Sequence, residues 1–153
     1  MVKVGDNAPA FEALNQKREK ISLGGFSGKK VVLAFFPAAF TGVCEKELCT
    51  FRDSMANFND MDAVVLGVSV DAPFSNAAFA ERNSLNFDVL SDYDRKMVTA
   101  YGVAHHDFAG MPGYTAAKRS VFVIDGAGKL TYTWVADNPG IEPNYDEVKA
   151  AVS

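Results

Sequence analysis

The sequence is poor in the residues that build metal centres, disulfide scaffolds and membrane anchors. Its 153 residues include two cysteines, two histidines and one tryptophan. Two cysteines are too few to staple a fold, and a chain of this length can bury a core without staples. The histidines are neighbours, His105 and His106, and adjacent histidines rarely ligate one ion together. The cysteines, Cys44 and Cys49, fall on one expected helix, which is poor tetrahedral geometry, so no metal is expected. No apolar run approaches the roughly 18 residues of a membrane helix. Basic excess is lacking too. The formal net charge is −4, which offers nothing to nucleic acid or to an anionic membrane surface. The opening Val2-Lys3-Val4-Gly5-Asp6 has no apolar centre of the secretion-signal type, so a cytoplasmic protein is expected.

What is present fits a globular α/β protein, 48% hydrophobic and 22% charged. Phe11–Leu14 and Ile21–Leu23 alternate apolar and polar residues around a polar stretch, which predicts a small N-terminal hairpin. Val31–Phe36 and Ala63–Val70 are continuous apolar runs of strand length, as expected for strands buried on both faces. Phe87–Leu90 reads as a short strand. Ser120–Ile124 reads as another, joined by the turn Asp125-Gly126-Ala127-Gly128 to a strand over Leu130–Val135.

Between these runs the period changes to that of a helix. Cys44, Leu48, Phe51, Met55 and Phe58 form one stripe on a helix expected from Gly42 to about Asn59. Cys44 lies on that stripe, and Cys49 lies about 100° off it. Further helices are expected over Phe74–Asn83, with Phe74, Ala77 and Ala78 inward, over Tyr93–Tyr101, and over Asn144–Val152. Residues 102–117 read as loop. Alternating strands and helices predict a central mixed sheet flanked by helices, in one domain spanning 1–153.

The chemistry concentrates where the first buried strand runs into a helix, through Pro37, Thr41, Cys44 and Cys49. The thiolate is the reactive form of cysteine, and a free thiol has a pKa of about 8.5. Lowering such a value by two units takes about 2.7 kcal/mol. A helix N-terminus supplies roughly 0.3–1 kcal/mol, and about 2 when partly buried, so a reactive thiol here calls for a cation from elsewhere. Read alone, Cys44 is equally a core residue, and Arg119 a solvated charge at a strand edge.

The full pattern Pro37-x-x-x-Thr41-x-x-Cys44-x-x-Glu47 resembles the active-site signature of the peroxiredoxins. The resemblance extends to Gly5-Asp6-Asn7-Ala8-Pro9-Ala10-Phe11, to Gly67-Val68-Ser69-Val70-Asp71, and to Arg119-Ser120-Val121-Phe122-Val123-Ile124-Asp125. It implies a thioredoxin-like fold and a thiol peroxidase that needs no haem, flavin or metal. By position it implies that Cys44 is the peroxidatic thiolate and that Thr41 hydrogen-bonds the peroxide. Pro37 would shield the site, Arg119 would be the missing cation, and Glu47 would orient an arginine. Arg52 is the weaker alternative as cation. The loop holding Phe108, Met111, Pro112 and Tyr114 either lines the approach of substrate or covers the sheet, and the second reading is preferred.

The five-residue spacing of Cys44 and Cys49 is similar to that of the PrxQ-type, bacterioferritin-comigratory peroxiredoxins. That likeness implies that Cys49 resolves the oxidised Cys44 within one chain and that a thioredoxin-like donor reduces the disulfide. Helical residues five apart lie about 8.7 Å apart at Cα, whereas a disulfide needs roughly 4.4–6.8 Å. The helix must then open in each cycle. Substrates would be hydrogen peroxide and organic hydroperoxides. A one-cysteine peroxidase using an external thiol and a non-peroxidase thiol exchanger or sensor are the alternatives. The protein could be a monomer or a homodimer.

Overall fold

The computed structural model describes residues 2–153. A hairpin of β1 (Glu12–Leu14) and β2 (Lys20–Ser22) leads into β3 (Lys30–Phe35) and then α1 (Gly42–Asp53) and α2 (Met55–Asp60). Next come β4 (Ala63–Ser69), α3 (Pro73–Arg82), β5 (Asp88–Ser91) and α4 (Lys96–Ala100). Two short strands, β6 (Ala104–His105) and β7 (Ala116–Ala117), precede β8 (Ser120–Ile124), β9 (Leu130–Val135) and the closing α5 (Tyr145–Ala151). The main sheet has the order β2-β1-β5-β4-β3-β8-β9. β4 runs parallel to both β3 and β5, and the other pairings are antiparallel, so the sheet is mixed as expected.

Period-2 alternation divides the core between the two faces of this sheet. On one face Val32, Ala34, Val65, Val121 and Val123 pack with residues of α1, α2, α3 and α5. On the other, Val31, Leu33, Leu66, Phe122 and Ile124 pack with Met97 and Val98 of α4. Gly67, in the middle of β4, lets α1 come close: a Cβ there would meet Leu48 Cδ1 at 3.3 Å. No helix among the described residues is long and apolar enough to cross a membrane.

Four expectations are corrected. The helix from Gly42 to Asn59 is broken at Ser54, whose φ of −98° and ψ of 0° turn its N–H to Phe51 O at 3.0 Å. The apolar stripe nonetheless runs on through Met55 and Phe58, which stay buried. Phe74 points outward, 67% exposed, with the Arg18 guanidinium 5.2 Å from its ring centre. Asn76, Phe79 and Ala80 fill the inward face instead. Asn76 is tolerated there because Ser69 Oγ donates to its Oδ1 at 3.0 Å while its Nδ2 reaches Leu90 O at 3.4 Å.

The helix expected from Tyr93 shrinks to Lys96–Ala100. Buried Asp92 accepts the N–H groups of Met97 and Val98 at 2.9 Å each and so fixes where that helix starts. The segment 102–117 is more than loop, because β6 and β7 pair antiparallel within it.

Candidate active site

The site is assembled where β3 ends. Phe36 N still donates to Val68 O at 2.9 Å, which continues the sheet by one step. Pro37 then ends the ladder, since it has no N–H to give, and is itself buried. The turn that follows is held by Asp71, whose Oδ2 accepts Ala39 N–H at 2.9 Å. Phe40 adopts a left-handed φ of 65°, a conformation that a bulky residue rarely takes. Thr41 is the N-cap of α1, but its hydroxyl donates back to Ala38 O at 2.8 Å. With its one hydrogen so used, Thr41 Oγ1 presents lone pairs outward.

Cys44 is the third residue of α1 and is wholly inaccessible. The first turn of a helix leaves backbone N–H groups without intrahelical partners, and these favour a nearby anion. The cation called for by the magnitudes is Arg119. β8 pairs antiparallel with β3, with Phe35 opposite Ser120. Continuing that register sets Arg119 opposite Phe36, against the start of α1. The Arg119 side chain is 2% exposed. Its Nη2 donates to Cys44 Sγ at 3.2 Å, its Nη1 to Glu47 Oε1 at 2.9 Å, and its Nε to Pro139 O at 2.9 Å. Burial works against the Arg119 charge, but Glu47 and Cys44 outweigh it and hold the guanidinium firmly protonated. Burial pushes the Glu47 carboxyl up to about 7, and Arg119 offsets this only in part.

A cavity of about 240 Å³ opens over this cluster, with Pro37, Thr41, Val43, Phe108, Arg119 and Pro139 in its wall. A second cavity of about 500 Å³ adjoins it, also walled by Arg119 and Pro139 and reaching Lys118 and His105. Phe108 thus lines the cavity beside Arg119, which favours, for that residue, the first of the two readings of its loop over the preferred one. Met111 is exposed and Tyr114 half-buried. Asp71 and Pro139 were missed in the sequence. The carbonyl of Pro139 carries no side-chain signal, whereas Asp71 stands at the end of a buried strand in one of the matched segments.

Of the residues singled out from sequence, Pro37, Thr41, Cys44, Glu47 and Arg119 converge. Arg52 does not reach Cys44; its guanidinium bonds Asn83 O at 2.6 Å and Asp53 Oδ1 at 3.0 Å. Cys49 is half-buried and turned toward α3, its Sγ donating to Asn83 Oδ1 at 3.5 Å. Both cysteines are free thiols. A buried thiol beside a fixed guanidinium, under a small cavity with hydroxyl lone pairs at its edge, is equipped to attack a small polar electrophile.

Known proteins resemble the chain over most of its length. A bcp relative from Haemophilus influenzae is 40% identical over 130 residues, 84% of this chain and 83% of that one. Peroxiredoxin Bcp of Bacillus subtilis is 35% identical over 133 residues, covering 87% of this chain and 85% of its own. The crystal structure of peroxidoxin BcpB from Mycobacterium tuberculosis superposes with a TM-score of 0.87 at 30% identity, over 99% of this chain and 97% of that one. Residues 4–133 match the AhpC/TSA family. With its thioredoxin-like sheet and two thiols, the chain belongs to the AhpC/TSA family and, within it, to the Bcp-like peroxiredoxins, which are thiol-dependent peroxidases.

Proposed function

We propose that Cys44 is the thiol that reduces hydroperoxides, that Cys49 resolves it, and that a thioredoxin-like dithiol protein returns both to the reduced state. The carrying observation is the 3.2 Å hydrogen bond from Arg119 Nη2 to Cys44 Sγ, made out of solvent at the wall of a cavity. In that setting the guanidinium favours the thiolate and also faces an incoming peroxide.

The first step is attack of the Cys44 thiolate on the nearer peroxide oxygen. The S–O bond forms as the O–O bond breaks, leaving a sulfenic acid and, with one proton taken up, an alcohol or water. Thr41 Oγ1 accepts from the peroxide O–H, and the N–H groups of the first turn of α1 face the oxygen that gains charge. Pro37 keeps water from the thiolate. In the second step the Cys49 thiol attacks the Cys44 sulfur, forming the disulfide and releasing water. In the third the donor dithiol exchanges with that disulfide and leaves oxidised.

The second step needs motion. Cys49 must leave Asn83 and the start of α1 must unwind before the sulfurs can meet. On its outer side that turn is only lightly held, since Arg82 lies 3.8 Å from Glu45 Oε1 and 6.0 Å from the centre of the Phe40 ring. The reading extends to one domain acting in the cytoplasm.

The test is peroxide turnover coupled to thioredoxin for the wild type, Cys44→Ser and Cys49→Ser. Loss of all turnover in the first, and of thioredoxin-dependent turnover in the second, is expected. Thioredoxin-dependent turnover retained by Cys49→Ser would instead establish a one-cysteine cycle.

A further inference from the structure

Arg119 is one cation facing two acids. Its two terminal nitrogens bond Cys44 Sγ at 3.2 Å and Glu47 Oε1 at 2.9 Å. Both partners are 0% exposed. They stand three residues apart on α1, so the helix holds them on one face. The second oxygen of Glu47, Oε2, is buried with no hydrogen-bond partner among the described residues.

The charge count of this cluster admits few states. With thiol and carboxyl both ionised it carries one net negative charge away from water, and with both protonated one net positive charge. A net charge in such a place costs several kcal/mol, roughly. With one proton between the two acids the cluster is neutral, and that proton has two seats. In one the thiol keeps it and Glu47 is a carboxylate with an unpaired buried oxygen, which is costly. In the other Glu47 is the neutral acid and the guanidinium is left to the thiolate.

We propose that Cys44 and Glu47 share a single proton across Arg119, so that the thiol ionises as the carboxylate takes up a proton. The change is Cys44–SH plus Glu47–COO⁻ to Cys44–S⁻ plus Glu47–COOH; nothing is oxidised, the net charge is constant, and Arg119 stays protonated throughout. Glu47 touches no substrate and is a positioning residue that acts through Arg119. Its role is then to vary the fraction of the guanidinium available to sulfur, beyond holding it in place.

The charged surroundings favour the same seat for the proton. Glu142, from the segment before α5, pushes Glu47 toward its neutral form, though less than burial does. Lys46 on α1 does not counter this at Glu47, because its Nζ is paired with Glu142 Oε2 at 3.0 Å. From α5, Tyr145 gives its hydroxyl hydrogen to Glu142 at 2.7 Å and so offers none to Glu47. Arg119 is the cation from β8's side of the cluster.

The inference rests on Cys44 being the thiol that meets peroxide. It is tested by following thiolate absorbance against pH in the fully reduced protein, for the wild type and Glu47→Gln. Glutamine keeps an acceptor for Arg119 but cannot take the proton. Because glutamine stands in for the neutral acid, its thiol is expected to ionise at the wild-type midpoint, within a factor of about two in proton concentration, with the pH profile of peroxide reaction likewise unmoved. A midpoint lower by about one pH unit or more would show that wild-type Glu47 is a carboxylate when the thiol ionises, and overturns the inference.

The reciprocal measurement is the infrared band of a protonated carboxyl near neutral pH. It should be present in the wild type, absent in Glu47→Gln, and weakened in Cys44→Ser, where Arg119 belongs to Glu47 alone. An undiminished band in Cys44→Ser overturns the inference even if the glutamine variant fails to fold. Failure of the functional reading looks different, since the wild type would then not consume peroxide at all.

Discussion

Asp71 Oδ2 accepts the backbone N–H of Ala39 at 2.9 Å, so the end of β4 holds the turn that delivers Thr41 to the cavity. Asp71 is itself secured, its carbonyl accepting from Ser91 Oγ at 2.5 Å and from Asn76 Nδ2 at 3.5 Å. Replacing it by alanine frees the turn while leaving the core intact. Asp71→Ala should lower kcat/KM for peroxide about tenfold, or 1.4 kcal/mol, and Asp71→Asn should restore most of it. An asparagine variant as impaired as the alanine one would show that the hydrogen bond does not carry the effect.

Arg119→Met removes the cation and leaves two buried acids unpaired. Breaking a buried pair from one side costs about 3–5 kcal/mol, so the variant should denature at clearly lower urea. Arg119→Lys keeps a charge but lacks the two-pronged fork. It should fold better than the methionine variant and still react with peroxide at least roughly tenfold slower than the wild type, which stopped-flow mixing measures directly.

Arg82 bears on the second step and not on the first. It bridges the start of α1, through Glu45, to the Phe40 ring, which packs edge-on to Phe79 at 5.5 Å between centres. These exposed contacts are worth about 0.5–1 kcal/mol together. Arg82→Ala should therefore speed conversion of sulfenic acid to disulfide by about two- to fivefold and leave the rate of peroxide reaction as it was. Trp134, half-buried against the α1 face of the core, is a fluorescent reporter for both phases.

Stability should depend on pH through Glu47. Burial raises its folded value from 4.5 to about 7, so between these limits Glu47 itself is more protonated in the folded state than in the unfolded one. The associated stability is complete below pH 4.5 and is lost as pH rises through about 7. Urea unfolding of the reduced protein across this range should show the wild type losing stability relative to Glu47→Gln, in which only the thiol is left to titrate.

The frame was readable because β3, β4 and β8 are runs of residues with no other use than burial. The same holds for the stripe from Cys44 to Phe58. What escaped depended on partners far away in sequence. Phe74 faces out because Asn76, an unpromising core residue, finds its hydrogen bonds on Ser69 and Leu90. The break at Ser54 does not disturb the stripe, so periodicity could not show it. Arg119 could be demanded from magnitudes but named only through the family resemblance, because the register of β8 on β3 is what brings it to Cys44.

Cys44 belongs at once to the reactive cluster and to the hydrophobic core, packed with Leu48 and Phe51. With Cys49 as its partner, forming the disulfide means taking a core residue out and melting the start of α1. The reduction potential of the pair is then partly a folding free energy: every 1.4 kcal/mol of stability in that turn makes the disulfide about 30 mV more oxidising. Substitutions that merely strengthen α1 would thus retune which cellular reductants can recycle the enzyme.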